Sequence, residues 1–200
     1  MTGRVVFATS NKGKIAEIQA ILADWGVPVL TMAQAGFSGD ITEDGDTFAD
    51  NALIKARAVW AQTKGLVMAD DSGLCVDALG GEPGVLSARY LGEDTPYSRK
   101  NQAIIDRLSG AAGQERSARF TSAIAAVAPD GREFVTQADV EGLIAYEPAG
   151  DGGFGYDPIF IVPQYGKTTA QMTMEEKNGL SHRGKALRMM KELLERTGIV

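Results

Sequence analysis

The chain has 200 residues, 44% hydrophobic and 23% charged, an ordinary globular composition long enough to bury a substantial core. Its formal charge of -6 argues against a partner held by long-range attraction to a nucleic-acid backbone, so any phosphate site must be local. The single cysteine, Cys75, excludes an intrachain disulfide, and no apolar run approaches the ~20 residues of a membrane span.

Together with an N-terminal apolar run too short for a signal peptide, these features lead to the expectation of a cytoplasmic protein with no nucleic-acid or membrane partner. In chain order, Arg4 to Ala8 reads as a short buried strand. After a polar turn, Ile15, Ile18, Ile21, Leu22 and Trp25 fall at helical spacing, and Gly26 ends that helix. Val27 to Thr31 reads as a second strand, giving the start of a β-loop-α-β unit. Gly36 to Gly45 is an acidic loop. It leads into a helix with Phe48, Ala52, Ala56, Val59 and Trp60 on one side and Asp46 or Thr47 as its cap. Leu66 to Ala69 is a compact apolar run read as a central strand that stops at Asp70-Asp71-Ser72-Gly73.

Gly80 to Asp94 is glycine-rich loop, and Arg99 to Leu108 is helical. Arg116 to Ala128 and Glu133 to Ala145 form a predicted hairpin through Pro129-Asp130-Gly131. Gly150 to Pro158 is a glycine-aromatic loop before a short strand, Ile159 to Val162. Thr173 with Glu176 has the spacing of a capping box, and Ser181 to Arg196 is the last helix. No repeat, low-complexity tract or proline-rich linker divides the chain.

Five segments carry candidate chemistry. The turn Thr9-Ser10-Asn11-Lys12-Gly13-Lys14 opens a helix, so its amides and two lysines can hold an anion; the lysines can equally point into solvent. It matches neither the Walker sequence nor the dinucleotide fingerprint. Asp70-Asp71 at a strand end suits magnesium, which takes one or two carboxylates plus substrate phosphates; an acidic turn is the competing reading. Adjacent strand residues face opposite ways, so one of the pair is expected to serve a given site. Glu43-Asp44-Gly45-Asp46 is explained by helix capping alone unless another motif supports Glu43 as a ligand. In Gly153-Phe154-Gly155-Tyr156-Asp157, a ring is available for base stacking or for the core. His182, after Ser181 and before Arg183, is the one histidine, and no zinc-ligand cluster or nucleophile elbow accompanies it.

In wording and order, Thr9 to Lys14, Asp70-Asp71-Ser72-Gly73-Leu74, Pro83-Gly84-Val85 with Ser87-Ala88-Arg89-Tyr90, Gly153 to Pro158 and Ser181-His182-Arg183-Gly184 closely resemble the noncanonical purine nucleoside triphosphate pyrophosphatases, the inosine/xanthosine triphosphate pyrophosphatase family. The resemblance runs from about Val5 to Leu194. It implies an α/β fold with a mixed central sheet, flanking helices and two lobes enclosing a substrate cleft, within one domain spanning the chain. It implies hydrolysis of ITP, dITP, XTP or dXTP to monophosphate and pyrophosphate, a Mg2+ cofactor and a homodimer. By position, Asp71 matches the proton acceptor and metal ligand, and Glu43 the other metal carboxylate. Thr9, Ser10, Asn11, Lys12, Gly13 and Lys14 match the triphosphate loop. Ser72, Phe154, Gly155, Tyr156, Asp157, Lys177, His182 and Arg183 match substrate-binding positions. Two rival readings are a related pyrophosphatase with pyrimidine or modified-base preference, as in the septum-formation-inhibitor group, and a noncatalytic nucleotide-binding protein.

Overall fold

The computed structural model describes residues 3–200. Its first strand, β1 (Val5–Phe7), is fully buried, as an all-apolar run requires. The side chain of Asn11 accepts from the Lys14 N–H at 3.1 Å and so caps α1 (Lys12–Ile21). A single 3-10 turn, Ala23–Trp25, then ends at Gly26 in the left-handed region, φ 70°. β2 (Val29–Thr31) follows. α2 (Phe48–Thr63) is capped by Thr47, which accepts from the Asp50 N–H at 3.1 Å.

β3 (Leu66–Val76) departs from the expectation. It does not stop at Ala69: Asp70, Asp71, Ser72 and Gly73 lie inside an eleven-residue strand, and both carboxylates are buried. The physical reason is compensation. Buried carboxylates end a strand when they must reach water, and these two find cations instead.

The remaining elements are α3 (Tyr97–Arg107), β4 (Ser117–Val127), β5 (Glu133–Ile144), β6 (Phe160–Val162), β7 (Lys167–Thr168), α4 (Met174–Leu180) and α5 (His182–Arg196). β4 and β5 are joined by the expected turn, with the Gly131 N–H donating to the Ala128 carbonyl at 2.9 Å. Thr173 and Glu176 form the expected capping box on α4. The seven strands form one sheet in the order β2-β1-β3-β4-β5-β6-β7. β1 runs parallel to β2 and β3, with Val5 opposite Val29 and Leu66. β6 is antiparallel to β5 and β7, with Phe160 opposite Ile144 and Ile161 opposite Thr168. The fold is therefore mixed α/β, as predicted.

The described chain divides into two compact units. The first comprises residues 3–71, 122–138 and 182–200; the second comprises 72–121 and 139–181. In the first, Val5, Phe7, Leu66 and Met68 of the sheet pack with Ile18 of α1, with Leu22 just after it, and with Leu187, Met190 and Leu194 of α5. In the second, Leu74, Val76, Phe120 and Phe160 pack with Ile104, Ile105 and Leu108 around α3, the two phenylalanine rings lying 4.4 Å apart. Each unit thus has a core of its own.

Candidate active site

In the first unit the site begins with the helix period of α1. Lys14, Glu17, Ile18 and Ile21 share one face, so the packing that buries Ile18 also draws in two charges. Lys14 Nζ lies 2.6 Å from Asp70 Oδ2. Glu17 accepts from Arg183 Nη1, and Arg183 Nη2 lies 3.4 Å from the same Asp70 oxygen. The other Asp70 oxygen accepts from Ser122 Oγ at 2.6 Å. Burial by itself would raise the pKa of Asp70, but Arg183 and Lys14 outweigh it and hold the carboxyl well below the usual range. For Lys14 burial prevails over the attraction of Asp70, and its pKa is lowered. Lys12, in contrast, is exposed, and Thr9 Oγ1 accepts from the Asn11 N–H at 3.2 Å.

Asp71, the next residue on β3, meets a different cation. Lys55 Nζ stands 2.8 Å from Asp71 Oδ1 and 2.6 Å from Glu43 Oε2, so one ammonium joins the acidic loop to the strand. Burial would lower the pKa of Lys55, but Asp71 and Glu43 prevail and raise it. For Asp71 burial prevails over Lys55 and Lys14 and pushes its carboxyl up. Asp71 Oδ2 is buried and has no hydrogen-bond partner.

That orphaned oxygen is what a hard cation would take. Among the described residues no cluster of three or more histidine, cysteine or acidic side chains is poised to hold a metal. Glu43 and Asp71 supply two carboxylates, the number Mg2+ uses when substrate phosphates complete its shell. The donor set, carboxylate oxygen alone, fits a hard cation such as magnesium and lacks the histidine or cysteine ligands of a zinc site.

The second unit carries the glycine-aromatic loop. Asp157 Oδ2 accepts from the Phe154 N–H at 2.7 Å and from Lys177 Nζ at 2.6 Å, and its Oδ1 accepts from Thr169 Oγ1 at 2.8 Å. Gly153 stands at φ +69°, and a Cβ there would lie 2.1 Å from Asp157 Oδ2, so only glycine allows this clasp. Tyr156 fills the core, its hydroxyl donating to the Ser87 carbonyl at 2.8 Å and its ring perpendicular to that of Tyr97, with centroids 5.2 Å apart. Phe154 stays half-buried, with Lys177 Nζ 5.0 Å from its ring centroid. The two aromatic positions thus divide the expected roles: Tyr156 packs, and Phe154 presents a ring.

Of the predicted site residues, Thr9 to Lys14, Glu43, Asp71, His182 and Arg183 belong to the first unit. There, Lys14 and Arg183 meet at Asp70, and Glu43 and Asp71 meet at Lys55. Ser72, Phe154 to Asp157 and Lys177 belong to the second unit, where Phe154, Asp157 and Lys177 meet. His182 is buried at the start of α5, and Ser72 is half-buried in β3. Sequence reasoning missed Lys55, Glu17 and Ser122. A signal existed for the first: Lys55 falls on the apolar stripe of Ala52, Ala56 and Val59, where a lysine needs a buried partner.

The model of the Ham1 family, described as Ham1p-like, matches residues 5–193. The chain belongs to the Ham1 family. A dITP/XTP pyrophosphatase of Desulforamulus reducens is 46% identical to it over 193 residues, covering 96% of each chain. One of the same name from Bacillus subtilis is 45% identical over 190 residues, covering 95% of this chain and 96% of that one. A HAM1 protein from Coxiella burnetii superposes with a TM-score of 0.86 at 39% identity, over 96% of this chain and 98% of that one. This Ham1 chain therefore shares both sequence and fold with its relatives along nearly its whole length.

Proposed function

We propose that the protein is a metal-dependent hydrolase that converts noncanonical purine nucleoside triphosphates, namely ITP, dITP, XTP and dXTP, to the monophosphate and pyrophosphate. The observation that carries this reading is the meeting of Asp71, with one buried, unpaired oxygen, and Glu43 at Lys55, beside the Lys14–Asp70 pair. The names of the relatives supply the substrate class, and the ion set supplies the reaction type.

Asp71 and Glu43 would hold the divalent cation, expected to be Mg2+, which when bound neutralises charge on the triphosphate. Asp71 accepts the proton of the attacking water as its oxygen bonds to the α-phosphorus and the bond to pyrophosphate breaks. A carboxyl raised by burial is a better base near neutral pH than an ordinary aspartate. Lys12, Lys14 and the turn's remaining amides hold phosphate oxygens, those of Thr9, Asn11 and Lys14 being engaged within the fold. Phe154 offers a stacking face to the base. Ser72, Gly155, Tyr156, Asp157, Lys177, His182 and Arg183 complete the substrate set by similarity. A 6-oxo base accepts hydrogen bonds where adenine donates, so buried donors left unpaired by adenine discriminate against it. The working form is a cytoplasmic homodimer, the assembly being measurable by light scattering.

The test is malachite-green detection of phosphate from ITP, with and without inorganic pyrophosphatase and with and without Mg2+. Signal only with both additions is expected. Faster turnover of dTTP or UTP than of ITP overturns the purine preference. ITP binding without turnover makes the protein a nucleotide sensor.

A further inference from the structure

One buried side chain on α2 serves neither the core nor any role given above. Asn51 is 1% exposed, and its Oδ1 accepts from the Gly45 N–H at 2.9 Å, inside the acidic loop two residues after Glu43. That contact fixes the amide's orientation, because an N–H requires the oxygen to face it. The nitrogen, Nδ2, is then left buried with no partner. The loop backbone lies flush on the helix here: a Cβ on Gly45 would stand 2.7 Å from Asp50 Cβ and 2.9 Å from Asn51 Oδ1. Lys55 is one turn further along α2 on the same face, and it grips Glu43 and Asp71. One helical face therefore holds the acidic loop twice, by its backbone at Asn51 and by its carboxylate at Lys55.

We propose that Asn51 is a positioning residue with two duties in the proposed reaction. Its oxygen ties down the loop so that Glu43 stays beside Asp71, and its nitrogen donates to a phosphate oxygen that arrives with the triphosphate. A buried donor without an acceptor destabilises the empty protein, and an oxygen supplied by the substrate removes that penalty where an apolar side chain could not. The inference rests on the hydrolase reading above and adds a group that no motif in the sequence indicated.

Two variants separate the duties. Asn51→Ala loses both. Asn51→Asp is nearly isosteric, keeps an acceptor for the Gly45 N–H and turns the donor into an acceptor. Binding of Mn2+ is measured by calorimetry without nucleotide, KM for ITP by pyrophosphate release, and folding by thermal melting without metal. Asn51→Ala is expected to weaken Mn2+ about tenfold, as loss of support behind a metal ligand does. Asn51→Asp is expected to keep Mn2+ affinity at or above the native value while KM for ITP rises about tenfold, the equivalent of one misplaced hydrogen bond. If Asn51→Ala fails to fold, the isosteric variant carries the test by itself. Equal loss of Mn2+ in both variants overturns the tether, and a native KM in Asn51→Asp overturns the donor. Native protein that neither binds Mn2+ nor turns over ITP rejects the parent reading and this inference with it. Native protein that does both, beside an Asn51→Ala variant indistinguishable from it, rejects the inference alone.

Discussion

Buried cations are handled differently in the two units. In the first, Lys14, Lys55 and Arg183 each meet carboxylates, and Asp70 and Asp71 draw cations from three separate elements. In the second, Lys177 meets Asp157, but Lys100 donates to the Ala88 carbonyl at 2.6 Å. Arg116 donates there to the carbonyls of Ile144, Leu108, Ala145 and Ala111. The contrast has chemical content. A carboxylate can take a proton or a metal, so a network built on carboxylates can change state during a reaction. A backbone carbonyl takes no proton under ordinary conditions, so a cation held by carbonyls fixes the path of the chain. The first unit thus gathers its buried cations on carboxylates, and the second adds carbonyl-held cations to its Lys177–Asp157 pair.

The contrast is sharpest at Asp71. Asp71→Asn should lower turnover about a thousandfold, within the range of a lost general base, while ITP still binds by calorimetry. Undiminished turnover would remove Asp71 from the reaction and with it the chemical half of the comparison. In the second unit the corresponding blow should fall on stability. Arg116→Ala leaves three buried carbonyls and one part-buried carbonyl without this donor and should cost about 3 kcal/mol in urea unfolding, with turnover per folded molecule nearly native. A lowered kcat in folded Arg116→Ala would blur the division of labour.

Lysines give a finer test. Lys14→Ala and Lys177→Ala should each weaken triphosphate binding about tenfold and monophosphate binding less, as charge-assisted contacts to phosphate do. Equal weakening for both nucleotides would place the ammonium groups away from the terminal phosphates. The smallest effect is expected at Tyr156. Burial pushes its phenol well up, so the neutral hydroxyl is favoured in the fold. A group whose folded pKa exceeds its unfolded value of about 10 contributes stability below that pH and loses it as pH rises. Melting temperature should therefore fall above about pH 10, and less steeply in Tyr156→Phe, which at neutral pH lacks only the bond to Ser87 and should lose about 1 kcal/mol.

What the sequence revealed, and what it hid, follows the range of the forces involved. The Gly26 stop, the Pro129 to Gly131 turn and the Thr173 to Glu176 box were legible because each is decided by neighbours within a few residues. The length of β3 was not. Whether Asp70 ends a strand depends on Lys14, Ser122 and Arg183, which lie far from it along the chain. Arg116 looked like any charged residue at a strand start, since its acceptors are carbonyls that carry no signature in side-chain identity. The site itself was readable through five short segments, and the ammonium that joins two of them was not among those segments. Lys55 stood on an apolar helical stripe as an exception, and exceptions of that kind are where a helix face meets a functional group.

That same lysine has a consequence for how the protein endures a shortage of its ion. Its positive charge already rests against both acidic groups, so the folded chain does not rely on a metal to tolerate them. Small zinc domains come apart when their ion is stripped. Here EDTA should silence the enzyme and leave its melting curve close to unchanged, and a return of magnesium should restore activity without any refolding delay. A cell starved of the divalent ion would hold an intact but idle stock of the protein.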